Sequence, residues 1–190
     1  PEVIPLSQVE LDKNYALVIT TNGGLWRYKI GDTVKFTSTS PYRFRISGRT
    51  RHFLNAFGEE VIVENAEKAV QFAAEQTDAR IANFTAAPVY FDGSGSKGAH
   101  EWIIEFQKEP SDPKEFDRLL DVHLREINSD YDAKRHKGLA LIEPIIHHAP
   151  SGLFEKWMRK RGKLGGQHKV PRLSNSREYL DEILGLEENL

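Results

Sequence analysis

Ile46-Ser47-Gly48-Arg49-Thr50-Arg51 is the stretch on which the reading of the fold turns. Before it, the chain has the alternation and β-branched or aromatic content of strands. Tyr15–Thr20 is the first. Asn22-Gly23-Gly24 then supplies the positive-φ residues of a tight turn, and Leu25–Ile30, Thr33–Thr37 and Tyr42–Ser47 follow as further strands. After Gly48 the composition changes and helical and strand periods alternate. The four residues Gly48–Arg51 therefore read as a hinge between two pieces of different character.

Beyond the hinge, Glu64–Gln76 puts Val63, Ala66, Val70 and Ala73 on one helical face. Ile81–Phe91 and His100–Phe106 read as strands joined by the Gly-rich turn Asp92–Gly98. Asp112-Pro113-Lys114-Glu115 is a helix start, with Asp as the cap and Pro in the first turn. Phe116, Leu119, Leu120, Leu124 and Ile127 form the buried stripe of that helix. A strand over Leu139–Ile146 follows, then a short amphipathic helix over Gly152–Arg161 and a loop over Gly162–Leu173. A last helix, capped by Asn175 with Glu178, runs to about Leu184. The order predicts an α+β domain with helices on one face of a mixed sheet. Residues 1–48 are too few strands to stand alone, so they are expected to complete a larger β-rich domain.

Composition sets outer limits. The chain has 190 residues, 39% of them hydrophobic and 28% charged, enough for a real core and against wholesale disorder. With no Cys, a disulfide framework, a thiolate nucleophile and Cys-based metal sites are excluded. No apolar run approaches the length of a membrane span, and no secretory signal is evident, so a cytoplasmic protein is expected. The single methionine is Met158, and the working expectation is a fragment of something longer.

The formal charge of −2 hides an asymmetry. Lys156, Arg159, Lys160, Arg161, Lys163, Lys169 and Arg172 face only Glu155 within residues 154–172. A basic arm on an acidic body usually meets an anion, such as phosphate, nucleic acid or an acidic partner; it is also what a solvated, salt-bridged helix face looks like.

Three features could carry chemistry. In Trp26-Arg27-Tyr28-Lys29-Ile30-Gly31-Asp32, a carboxylate on a turn at a strand's end could accept hydrogen bonds from the vicinal hydroxyls of a ribose, with Gly31 allowing close backbone approach. Arg49 and Arg51 at the hinge could hold phosphate or ribose oxygens. The arm Gly162–Arg172 could deliver an ammonium to a phosphate or carboxylate, a movable point charge that stabilises developing negative charge. It is not a phosphate-binding P-loop, because Gln167 stands where the second Gly belongs. His147-His148, adjacent on a strand, would point to opposite faces and chelate poorly; no metal site is expected. Asn128–Asp132 lacks the Gly and terminal Glu of a calcium loop.

Taken together and in this order, these features resemble the adenylate-forming enzymes, and more closely the auxin-responsive acyl-acid amido synthetase family in its bacterial form. Tyr28-Lys29-Ile30-Gly31-Asp32 is similar to that family's Tyr-Arg/Lys-x-Gly-Asp nucleotide motif. Gly48-Arg49-Thr50-Arg51, with Gly58, Val61 and Glu67 after it, resembles the superfamily's hinge segment. Gly166-Gln167-His168-Lys169-Val170-Pro171-Arg172 resembles the Gln-x-Lys-x-Pro-Arg signature.

The resemblance implies that residues 1–48 are the β-rich C-terminal part of an N-terminal adenylating domain, and 49–190 a mobile C-terminal lid hinged near 48–51. It implies nucleotide binding by Tyr28, by Asp32 through the ribose hydroxyls and by Arg49 through ribose or phosphate. Arg51 would be the hinge residue, although much of the superfamily has Asp or Lys there. Lys169 would be the catalytic lysine that swings towards the α-phosphate and acyl carboxylate. ATP and Mg2+ would be held mainly by an N-terminal domain outside these residues. The partners would be a carboxylic acid, an amine or amino acid, and that N-terminal domain, with neither nucleic acid nor membrane. The fragment would be inactive alone. Other readings are a ligase that forms coenzyme A thioesters or, more distantly, a basic nucleic-acid module. Against the last, Phe154 and Trp157 are the only aromatics within residues 154–172, both at its start and none among the later lysines and arginines, so no interleaved stacking surface is expected.

Overall fold

The computed structural model describes residues 3–49, 53–91, 97–136, 140–163, 165 and 169–187. It divides into two compact units, Pro1–Arg51 and His52–Leu190.

In the first unit a 3-10 turn at Leu6–Gln8 precedes three strands, β1 (Asn14–Ile19), β2 (Tyr28–Thr39) and β3 (Tyr42–Arg49), in the order β1-β2-β3, both pairs antiparallel. The expected strands Leu25–Ile30 and Thr33–Thr37 merge into one strand that begins only at Tyr28, and Gly31-Asp32 lies inside it rather than on a turn at its end. The chain can run straight through because Ile30–Asp32 bulges opposite Leu17, with Gly31 at φ +89°, a conformation costly to any residue with a Cβ.

The second unit begins with a short antiparallel hairpin, β4 (Phe53–Leu54) and β5 (Val61–Ile62), followed by helix α1 (Val63–Gln76). Next come β6 (Arg80–Tyr90) and β7 (Gly98–Lys108), paired antiparallel out to Tyr90 with Gly98; residues 92–96 of the Gly-rich turn lie outside the described residues. Helices α2 (Pro113–Ile127) and α3 (Ser129–Arg135) lead to β8 (Ile145–Ala149), which pairs parallel with β7. Helices α4 (Leu153–Lys160) and α5 (Glu178–Glu187) complete the unit. The sheet β6-β7-β8 is therefore mixed, as expected.

Its helices do not share one face. Trp102, Ile104 and Phe106 of β7 pack with Ala66, Val70 and Phe116 of α1 and α2, while Ile103 packs with Leu153, Trp157, Leu180 and Ile183 of α4 and α5. Gly98 to Phe106 of β7 is buried without interruption, the mark of a strand covered on both faces. His147 and His148 part as expected. His147 Nε2 meets Glu101 at 2.7 Å and His148 Nε2 meets Asp117 at 2.8 Å.

Two further expectations need correction. Leu139–Ile146 is not one strand: Leu141 makes a single bridge to Gly98, and the ladder resumes only at Ile145, because Pro144 has no N–H to donate. Asn175 does not cap the last helix. Its side chain accepts from the Asn55 amide at 2.9 Å, while the Ser176 hydroxyl takes the Glu178 amide. The Asn128–Asp132 run, dismissed as a calcium loop, opens helix α3, which Asn128 caps by accepting from the Tyr131 amide through its side-chain Oδ1. Asp112, by contrast, caps α2 as expected, accepting from the Lys114 and Glu115 amides.

Buried polar side chains tie the elements together. Glu59, fully buried, accepts from the Ala56 and Phe57 amides and meets His100 at 2.9 Å. Burial alone would raise its pKa, but the hydrogen bond and charge of His100, with the backbone amides, hold it below the usual carboxylate value. Tyr131 and Arg135 both donate to Asp121 at 2.6–2.9 Å, and Arg135 also reaches the Leu141 carbonyl. Glu105 takes the Gly152 and Phe154 amides at the start of α4.

A Cβ on Gly98 would stand 1.9 Å from the Val89 carbonyl oxygen and 2.6 Å from the Phe57 ring. Gly98→Ala should therefore destabilise the second unit by about 3 kcal/mol, read as a lower urea midpoint with the slope unchanged. A second prediction concerns pH. The hydrogen bond to Asp117 raises the His148 pKa; burial opposes this, and the charges of Asp117 and Glu109 add to it. Phe106 and Phe116 pack against the same ring. The imidazolium thus stabilises the fold fully below pH 6.5 and loses that contribution as pH rises through the folded pKa. His148→Gln should remove a decline in stability above pH 6.5 of less than about 1 kcal/mol; an unchanged pH profile would exclude the pair as its source.

Candidate functional site

In the first unit the Tyr28–Asp32 stretch and Arg49 meet on one pair of strands. Asp32 of β2 lies directly opposite Arg49 of β3, and Thr33 lies opposite Gly48. Just beyond, the register slips, so that Ser47 is an extra residue facing the Thr33–Val34 step. Asp32 is therefore flanked by two irregularities, the Gly31 bulge towards β1 and the Ser47 bulge towards β3. Such bulges re-aim side chains and occur often at functional sites. Beside it, buried Ser47 donates to the Asn14 side-chain oxygen, and its hydroxyl lies 3.1 Å from that of Thr33, within hydrogen-bond reach. Asp32 is half-buried, and Tyr28 at the start of β2 is 51% exposed, leaving its ring available. The register thus brings Asp32 and Arg49, two of the residues singled out in the sequence, opposite each other in the ladder, while Tyr28 lies four residues earlier on the same strand. Arg51 lies outside the described residues.

Lys169 belongs to the second unit, where it is exposed. Residues 166–168 of its signature lie outside the described residues, and the segment after it is held against β6. The Ala86 amide donates to the Arg172 carbonyl at 2.9 Å and the Ser174 amide to the Ala86 carbonyl at 3.0 Å, so the chain bridges in parallel to the edge of β6. The Thr85 hydroxyl donates to the Pro171 carbonyl at 2.7 Å. Arg172 lays its guanidinium over the Phe84 ring, 4.5 Å from its centre, while Nη1 donates to the Phe84 carbonyl and Asn83 Oδ1. Burial lowers its pKa, and Glu67 partly opposes this; the group remains a cation.

The rest of the basic arm is not uniformly available. Arg161 is held by Glu178 and Glu182 and stacks on Trp157 and Tyr179, while Arg159 pairs with Glu155. Lys156, Lys160 and Lys163 are exposed, as Lys169 is. Among the described residues there is no group of three His, Asp or Glu that could hold a metal ion, and no helix is long and apolar enough to cross a membrane.

Sequence reasoning missed Thr85 and Phe84 as partners of the arm, and a lone Thr in the run Asn83-Phe84-Thr85-Ala86 gives no signal that could have found them. It also missed the buried carboxylate Glu101, which joins His147 to Arg177 at 2.7 and 2.8 Å. Arg177 in turn pairs with Asp181 in the first turn of α5.

Two family models match the chain, the GH3 family central domain over residues 1–49 and the GH3 family C-terminal domain over residues 64–178. Among curated relatives, indole-3-acetic acid-amido synthetase GH3.10 of Arabidopsis thaliana is 29% identical, over 94% of this chain and 31% of its own length. GH3.3 of the same plant is 27% identical over 90% of this chain and 30% of its own. The chain thus spans about a third of the curated relatives it matches. Among solved structures, the GH3.15 acyl acid amido synthetase superposes with a TM-score of 0.73 at 23% identity, covering 97% of this chain and 35% of that one, a likeness of fold. With the C-terminal model matched through most of the second unit and the central model through the first, the chain belongs to the GH3 family, of which it is a C-terminal portion.

Proposed function

We propose that this chain is the C-terminal portion of an ATP-dependent acyl-acid amido synthetase, which activates a carboxylic acid as its acyl-adenylate and passes the acyl group to an amine or amino acid. The relatives named above are indole-3-acetic acid-amido synthetases, and an aryl or indole carboxylic acid is the substrate class that their names suggest. The observation that carries the reading is the register that sets Asp32 against Arg49 between two bulges.

In this reading Asp32 accepts hydrogen bonds from the two ribose hydroxyls, Arg49 faces ribose or phosphate oxygens, and Tyr28 offers its exposed ring to the base. ATP supplies the leaving group, turning a poor electrophile into a mixed anhydride. Lys169 brings a compact positive charge to the reacting oxygens, an effect large in a site closed to water. Residues 1–48 complete the adenylating domain, and 49–190 act as its lid, with Arg51 at the hinge. Lid motion would exclude water and exchange the groups facing the substrate between the two steps. Mg2+ and the acyl pocket belong to parts of the parent protein outside residues 1–190. In this reading the parent protein works in the cytoplasm, where ATP is at hand.

In the full-length protein, Lys169→Ala should cut acid-dependent ATP–pyrophosphate exchange by about a hundredfold or more across a panel of aryl and indole carboxylic acids. Near-normal exchange would remove Lys169 from the reaction. Asp32→Ala should raise the KM for ATP by about tenfold or more, since two hydrogen bonds to a charged group are lost. An unchanged nucleotide affinity would reduce Gly31-Asp32 to a structural bulge.

A further inference from the structure

We infer that Thr85 and Arg172 are positioning residues for Lys169: they fasten residues 170–174 to the edge of β6 and so fix the point from which the lysine reaches. The inference deepens the proposed role of Lys169 and rests on it.

The basic arm, with Gly162, Gly165 and Gly166, is glycine-rich at its start, yet Lys169 stands at its far end. Val170, the next residue, packs against the cluster between the sheet and α4 and α5. Leu173, three residues on, is fully buried in the cluster on the opposite face, with α1 and α2. The segment therefore straddles the sheet edge with one apolar side chain gripping each face. Successive Cα atoms are about 3.8 Å apart, so the Cα of Lys169 is tethered within that distance of an anchored residue.

Between the two apolar grips, polar contacts set the height of the segment along β6. Pro171 has no N–H, so only its carbonyl can bond to the strand, and the Thr85 hydroxyl donates to it. Arg172 closes the clamp twice, through its own carbonyl to the Ala86 amide and through a guanidinium stacked on Phe84 and donating to the Phe84 carbonyl. Only a planar fork can stack and donate together, so a lysine at 172 would keep the charge and lose the clamp. A slide of about 1 Å at this anchor is transmitted to Lys169, and misplacement of that size is enough to slow a charge-stabilised step markedly.

The test uses the full-length protein with Thr85→Val, which keeps the volume and removes the donor, Thr85→Ser, which restores it, and Arg172→Lys. Two readouts are taken, tryptic cleavage after Lys169 in the native protein and the rates of the two half-reactions. Thr85→Val and Arg172→Lys should speed cleavage and slow ATP–pyrophosphate exchange on the order of 10- to 100-fold. The KM for ATP and amine transfer from preformed acyl-adenylate should stay within about twofold, and Thr85→Ser should recover both readouts. A merely structural loss would slow both half-reactions alike, in proportion to the folded protein lost. Wild-type exchange in Thr85→Val and Arg172→Lys, with exchange abolished in Lys169→Ala, would overturn the positioning role and leave the role of Lys169 standing. Normal exchange in Lys169→Ala would overturn both.

Discussion

The second unit is organised by the burial of β7 on both faces. A strand covered on one side would need only alternate residues apolar, but here every residue from Gly98 to Phe106 is buried. Three of them, His100, Glu101 and Glu105, are polar, and a buried polar group costs stability unless it is hydrogen-bonded. Each pairs with a different piece of chain, although the second ring nitrogen of His100, Nδ1, finds no partner among the described residues. His100 meets Glu59 and holds the loop between β4 and β5; Glu101 joins β8 to the start of α5; Glu105 caps α4 with both carboxylate oxygens. The central strand thus fixes three peripheral segments by its own need for partners. Gly98, with no room for a Cβ, admits a fourth, the bridging residue Leu141.

In the first unit the corresponding constraint lies in the backbone. A regular ladder would fix Asp32 in the ordinary alternation of faces along β2. Bulges on both of its neighbours break that alternation, and Gly31, at positive φ, is the residue type that tolerates the break. The same irregularity that makes Gly-Asp look like a turn in the sequence is absorbed inside a continuous strand.

Charge follows a similar division of labour. The arm that stands out in the sequence as a block of positive charge is partly neutralised once folded. Arg161 is taken up by α5 and two aromatic rings, and Arg172 lies on Phe84. What remains exposed is mainly lysine, the more mobile and more strongly hydrated cation. The two arginines act as mortar for helix and strand edges, and the lysines face solvent.

Local signals determined much of this chain. The cap at Asp112, the periodic stripe of α2, the paired strands β6 and β7 and the change of character at Gly48–Arg51 are legible because each depends on residues close in sequence. The stretches Tyr28–Asp32 and Lys169–Arg172 stand out in the sequence because glycine, proline and charge recur there at close spacing. The tertiary structure decided what depends on distant partners. Asn175 caps nothing because Asn55 claims it, Pro144 cuts a strand that hydrophobicity alone would continue, and helices cover both faces of a sheet that was expected to be covered on one. The grip of Thr85 on Pro171 joins residues 86 apart in the chain. No local pattern records such a contact, because its hydrogen bond exists only after the sheet edge has been built to receive it.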